Sequence, residues 1–220
     1  VTKPYRVEHF PALDAVGVCR SAFINRIPGI DVAQDKKETL RRLDSAHREI
    51  RDSLGLGEWP LLTAEQIHSN KIAVVDESIR TDAQFAAADG LMTDQTGVAL
   101  GIHVADCCAV FIVDPVRPAI ALVHSGRKGT EQGIAGKAIE QMRKKFSTKP
   151  EDLIIQLSPC IRPPHYEIDF AATIIEQCRA QGVKKIYDSG ICTACDIRRY
   201  YSYRAEKGRT GRMLALLGLK

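Results

Sequence analysis

The chain has 220 residues, with 31 Lys+Arg against 27 Asp+Glu for a net charge of +4, and 45% of it is hydrophobic. That length supports one well-buried core, and so even a charge balance argues against a nucleic-acid surface while still admitting an anionic small ligand. No run approaches the roughly 20 apolar residues that span a bilayer, and the N-terminal VTKPYRVEHFPALD lacks the apolar stretch of a secretory signal, so a soluble, cytoplasmic chain without membrane contacts is expected.

Residues 31–57 place Leu40, Leu43, Ile50 and Leu54 at helical spacing, behind an acidic start and ahead of two glycines. This predicts an amphipathic helix with His47 on its solvated face. Residues 61–76, LLTAEQIHSNKIAVVD, read as two extended pieces joined at Ser69-Asn70, with His68 at the turn. Strand character resumes in ADGLMTDQTGVALGIHVA and continues through Val113. TEQGIAGKAIEQMRKKF predicts a helix with Ile134, Ala138, Met142 and Phe146 on one side. DLIIQLSPCIRPPHYEID predicts a buried strand stopped by Pro159, Pro163 and Pro164, and FAATIIEQCRAQG a helix closed by Gly182. The tail from Tyr187 is rich in Tyr and Arg. Helices and strands alternate only in part, and a hairpin-like pair sits at the centre, so one α+β domain with mixed sheets is expected over 1–220.

That central pair is HVADCCAVFIVDPVRPAIALVHSG, His103 to Gly126. A two-residue loop at Pro115-Val116 sets Asp114 against Arg117 and Cys107 against His124. Directly opposed side chains lie about 4.5–5.5 Å apart at Cβ, close enough to share a metal or a proton. Cys108 then points to the other face, among Val110 and Ile112. His103 has the parity of Cys107 and reads either as a rival ligand or as a partly buried, hydrogen-bonded histidine. An open zinc site has three protein ligands and a vacant position, and His68 is the best third ligand outside the hairpin.

Seven cysteines in a chain of this kind point to thiols, ligands or a nucleophile rather than to disulfides. Cys19 and Cys178 read as small buried hydrophobes. Cys192 and Cys195 form a lone CxxC without a second pair and are assigned a structural role.

The stretches QIHS (66–69), ADGLMT (88–93), ADC (105–107), VHSGRKGT (123–130), SPCI with YE (158–167), CTAC (192–195) and YYSYR…TGRM (200–213) occur in this order. In this the sequence resembles the YfiH-like laccase-domain family, whose members were once described as polyphenol oxidases and are now described as purine nucleoside phosphorylases. The resemblance extends over most of the chain from Ala15. It implies a four-layer α/β/β/α fold and one zinc ion held by His68, Cys107 and His124. It also implies phosphorolysis of adenosine, inosine and S-methyl-5'-thioadenosine, together with adenosine deamination. Where the family usually reads HAGWRG this chain has HSGRKG, so Arg127 replaces an aromatic residue and Lys128 the usual arginine, a point charge in place of a planar fork.

On this reading purine nucleoside and phosphate are the partners, in a monomer or homodimer. Arg127, Lys128, Thr130 and the backbone of SGRKGT either cradle phosphate or merely connect a strand to a helix. Asp106 is expected to orient a ligand histidine through its second ring nitrogen. Arg204 and Arg212 are placed near substrate. Tyr200, Tyr201 and Tyr203 either stack a base or form a packed aromatic edge, the latter preferred. Two rivals remain, a cysteine nucleophile built from Cys107 and His124, and a non-catalytic zinc protein whose site is closed by a fourth ligand such as His103. Copper is not expected, because only three of six histidines fall in the motifs.

Overall fold

Strand-forming runs and two long amphipathic segments build two six-stranded sheets, described over residues 7–220 in a computed structural model. The first six residues of the stretch read above for a signal lie outside that range. In chain order the elements are β1 (Val7–Glu8), α1 (Pro11–Asp14), β2 (Cys19–Ile24), α2 (Lys36–Ser53), β3 (Leu61–Ala64), β4 (Ile72–Val74), β5 (Ala83–Phe85), β6 (Gly90–Thr93) and β7 (Ala99–Val104). They continue with β8 (Cys108–Asp114), β9 (Ala119–Ser125), α3 (Arg127–Glu131), α4 (Ile134–Phe146), β10 (Ile154–Leu157), α5 (Phe170–Ala180), β11 (Lys185–Asp188) and β12 (Met213–Leu219). The first sheet runs β1-β2-β12-β7-β3-β5 and the second β11-β10-β8-β9-β6-β4. Each mixes parallel and antiparallel neighbours, as in the α+β class expected.

β8 and β9 are buried at every position, which requires cover on both faces. Strand alternation supplies the division. Cys108, Val110, Ile112, Ala121 and Val123 pack with α4 and α5, whereas Ala109, Phe111, Ile120 and Leu122 join the core shared with the first sheet. α2, capped by the Asp35 carboxylate on the Glu38 N–H, lies over the face of the first sheet that carries Thr63, His103 and Leu214. This stacking is consistent with four layers.

The loop between β8 and β9 is longer than the expected two residues. The Asp114 carboxylate accepts from both Val116 N and Arg117 N, so Pro115–Pro118 form a four-residue bend and Asp114 pairs with Ala119. The register therefore shifts by two and His124 lies opposite Ala109. A shift of two preserves facing, so Cys107 and His124 still share one side.

Other expectations change more. β3 and β4 do not pair but enter different sheets, which makes the His68 turn a crossover between them. Gly133, at φ +69°, splits the expected 130–146 helix into α3 and α4. His47 is buried, 4% exposed, with its ring 6.0 Å from that of His103. α2 therefore presents His47 to the sheet rather than to water. The Tyr- and Arg-rich tail ends in an apolar run, MLALLGL, which is β12, wholly buried between β2 and β7.

Burial lowers the His47 pKa from 6.5 to about 4, and that of His103 to about 3, so protonation favours the unfolded chain. The His47 contribution to stability is full above about pH 6.5 and is lost as the pH falls through about 4, a change on the order of 3 kcal/mol. Its Nε2 has no hydrogen-bond partner among the described residues, so His47→Leu removes no bond there. Urea midpoints of wild type and His47→Leu are expected to diverge between pH 4 and pH 7, wild type being the steeper; parallel curves would contradict this.

Candidate active site

Three separate segments converge where the two sheets meet. The crossover from β3 to β4 carries His68 at φ +63°, and Gln66, also at +63°, grips β7 with its side-chain amide, donating to His103 O at 2.6 Å and accepting from His103 N at 2.9 Å. Such backbone costs about 1–3 kcal/mol per residue and persists only where its surroundings fix it. Here the fixing group is Asp89, just before β6. Its buried carboxylate accepts from the N–H of Ile67, His68 and Ser69 (3.2, 2.9 and 2.6 Å), from the Ser69 hydroxyl at 2.8 Å, and bonds His124 Nδ1 at 3.0 Å.

Cys107 stands on the residue before β8, after Asp106 at φ +80°, and His124 is the penultimate residue of β9. Gly126 makes room for the sulfur, because a Cβ there would fall 2.4 Å from Cys107 Sγ. One nitrogen each from His68 and His124 and the Cys107 sulfur lie within 4.8 Å of one another, a group that could hold a metal ion. Asp89 engages Nδ1 of His124 and so leaves Nε2 as the free ring nitrogen, the usual arrangement behind a metal-binding imidazole. One thiolate and two imidazoles suit zinc with a position to spare.

The electrostatics agree with a paired cluster. Burial alone raises the Cys107 thiol, but His124 and then His68 outweigh it and bring it down to about 6. Burial depresses His124, and the Cys107 and Asp89 charges more than reverse this, to about 9. Burial also raises the Asp89 carboxyl, yet bonds from His124 and Ser69 leave it well below the usual carboxylate range.

The cluster opens into a cavity of about 580 Å³, within the ordinary range for small-molecule sites. Aromatic side chains (Tyr166, Phe170, Tyr203) and cations (Lys36, Arg127, Arg204, Lys207, Arg212) line it. Arg127 pairs with Glu131 at 2.9 Å and with Glu167 at 3.8 Å, and Arg204 with Glu167 at 3.4 Å. Lys36, Lys207 and Arg212 have no carboxylate partner among the described residues; Lys36 donates to Glu65 O, and Arg212 to Thr210 O and Gly211 O. After burial, the nearby Arg212 charge is the next cause lowering the Lys36 pKa.

Three expected roles change. Lys128 is exposed and absent from the cavity lining. The Thr130 hydroxyl faces inward, 2.9 Å from Ser125 Oγ, so of the expected cradle only Arg127 reaches the cavity. Asp106 bonds the Thr193 hydroxyl at 2.7 Å and Arg204 N at 2.7 Å, and the histidine partner is Asp89 instead. Asp89 stood in plain view in the ADGLMT stretch; the buried carboxylate opening an apolar strand was the available signal. His103 lies outside the cluster. Tyr200 and Tyr201 are core residues, hydrogen-bonded to Glu8 and to Ile27 O, whereas Tyr203 is on the cavity wall.

A family model described as "Multi-copper polyphenol oxidoreductase laccase" matches residues 16–171 and 164–220. The chain belongs to this laccase-like YfiH family. Among curated relatives of the family member described here, the purine nucleoside phosphorylase YlmD of Geobacillus stearothermophilus is 28% identical, over 92% of this chain and 86% of its own. A purine nucleoside phosphorylase of Corynebacterium glutamicum is 29% identical over 93% and 91%. The crystal structure of Geobacillus stearothermophilus YlmD aligns with TM-score 0.81 at 24% identity, over 100% of this chain and 97% of that one. Bacillus licheniformis hypothetical protein YfiH aligns with TM-score 0.78 at 23% identity, over 92% and 93%. At such identities the structural likeness establishes the YfiH fold.

Proposed function

We propose that the protein is a zinc-dependent purine nucleoside phosphorylase acting on adenosine, inosine and S-methyl-5'-thioadenosine, with adenosine deaminase activity. One observation carries the metal part of this reading. Two histidines address the Cys107 sulfur, one of them held at positive φ by a buried carboxylate. A nucleophilic thiol needs only one base. The names of the curated relatives support the substrate class.

His68, Cys107 and His124 would hold the ion, which when bound supplies a Lewis acid able to polarise a substrate atom and to activate water for attack at C6 of the purine. The remaining chemistry belongs to the chain. In phosphorolysis a phosphate oxygen forms a bond to C1′ of the ribose while the bond to the purine nitrogen breaks, and the base leaves with a proton. Lys36, Lys207 and Arg212, the cavity cations without a carboxylate partner among the described residues, are suited to that phosphate, whereas Arg127 and Arg204 are already paired. Tyr166, edge-on to Phe170 with centroids 6.0 Å apart, and Tyr203 offer aromatic faces to the purine.

Incubation with adenosine, with and without phosphate, tests this directly: adenine is expected only with phosphate and inosine in both, and the absence of both products would refute the reading. Arg212→Met is expected to raise the KM for phosphate roughly 10–100-fold, the loss of one charge-assisted contact, with little change in the KM for adenosine. Equal effects on both would place Arg212 elsewhere.

The alternative of a cysteine nucleophile has one observation in its favour. Cys107, His124 and Asp89 stand in the order of a thiol, a base and an orienting carboxylate. Iodoacetamide should label Cys107 readily on that reading and poorly in a zinc-loaded protein. A non-catalytic zinc site closed by His103 has no geometric support, since His103 lies outside the cluster.

A further inference from the structure

Five of the seven cysteines have an evident place. Cys19, Cys108, Cys160 and Cys178 are buried among apolar side chains, and Cys107 belongs to the site above. Cys192, half-buried, and Cys195, exposed, remain. A single 3-10 turn over Thr193–Cys195, closed by Cys195 N donating to Cys192 O at 3.2 Å, brings both sulfurs to one side. His165 reaches them from the bend after Pro164, so that one of its ring nitrogens and the two sulfurs lie within 4.8 Å of one another. The lone CxxC of the sequence thus has a third donor 27 residues upstream of Cys192, contributed by a different loop.

We propose that His165, Cys192 and Cys195 form a second metal site, separate from the His68–Cys107–His124 cluster, for a thiophilic cation of the zinc class. Two sulfurs and an imidazole are the donors such ions prefer, and they disfavour magnesium and calcium, which take oxygen. Three protein donors near the surface leave a fourth tetrahedral position for water or an outside ligand. The donors are held before any ion arrives, because the two loops are laced together independently of them. Cys160 N donates to Ile191 O and Thr193 N to Cys160 O, both at 3.2 Å, while Arg162 Nε donates to Ile191 O at 3.4 Å and its guanidinium pairs with Asp188.

The position gives the site a structural task. His165 directly precedes Tyr166 and Glu167, the first a cavity-wall residue and the second the partner of Arg127 and Arg204. Thr193, inside the CxxC, donates its hydroxyl to Asp106, the neighbour of Cys107. An ion here fastens the Tyr166 wall to the turn that braces the Cys107 loop.

The test uses full-length protein, stripped by chelator, kept reduced without oxygen, and dialysed against zinc before metal analysis. Wild type is expected to hold about two equivalents per chain, Cys195→Ser about one, and Cys107→Ser about one. Loaded with cobalt in place of zinc, Cys107→Ser should keep a thiolate-to-metal charge-transfer band that disappears in Cys107→Ser/Cys195→Ser. Wild type binding one equivalent that Cys195→Ser leaves unchanged would overturn the proposal. A Cys192–Cys195 disulfide persisting under the same reductant, seen in the intact mass, would also overturn it. Cys195 is exposed, so its serine variant decides the matter even if Cys107→Ser fails to fold.

Discussion

Asp89→Asn is expected to lower zinc affinity about 10–100-fold, the usual consequence of losing the group that orients a ligand histidine, and to destabilise the metal-free protein as well. Both effects follow from the same carboxylate. An asparagine presents one acceptor oxygen and one NH₂, so it cannot serve three backbone N–H groups, the Ser69 hydroxyl and His124 together. Each buried donor left without a partner costs about 1–3 kcal/mol, and the His68 loop at positive φ loses its clamp. Competition against a chromophoric chelator measures the first effect, and urea unfolding of chelated protein the second. Wild-type affinity in the variant would show that His124 is oriented by something other than Asp89.

Cys107→Ser is expected to abolish tight zinc binding at the His68–Cys107–His124 cluster and to reduce both phosphorolysis and deamination by more than the roughly 10–100-fold that supporting groups command. The thiol is already drawn down to about 6 by the two histidines, so the sulfur is a ready anionic donor near neutral pH, whereas a serine hydroxyl is not. A companion measurement separates this from the nucleophile reading. Chelator should inactivate the wild type and added zinc restore it. Activity indifferent to chelator but lost on alkylation of Cys107 would favour the cysteine nucleophile.

The elements with clear punctuation were legible in the sequence. α2 has its acidic cap and trailing glycines, α5 its closing Gly182, and β8 and β9 their long apolar runs around two prolines. The facing of Cys107 and His124 could also be read, because strand parity survives a register shift of two. What misled was local chemistry that spacing does not encode. The Asp114 side chain folds the bend into four residues, and burial of His47 depends on which face of α2 meets the sheet. β12 has apolar residues on both faces and therefore no period, although it lies inside the first sheet.

The site was legible as a set of residues but not as a set of roles. His68 reads as a turn residue, and only the crossover between the sheets brings it to the hairpin. Thr130 and Lys128 follow a strand as a phosphate-binding turn does, yet one faces the core and the other the solvent. Arg212 was placed near substrate from the tail motif, whereas Lys36, far from it in the chain, carried no local signal for the wall the two share.

The most direct test of the central claim is an anomalous difference map recorded at the zinc edge from crystals of the zinc-loaded protein. A peak within bonding reach of His68, Cys107 and His124 together is the predicted result. An empty position there, with the Cys107 sulfur hydrogen-bonded to His124 alone, would contradict it.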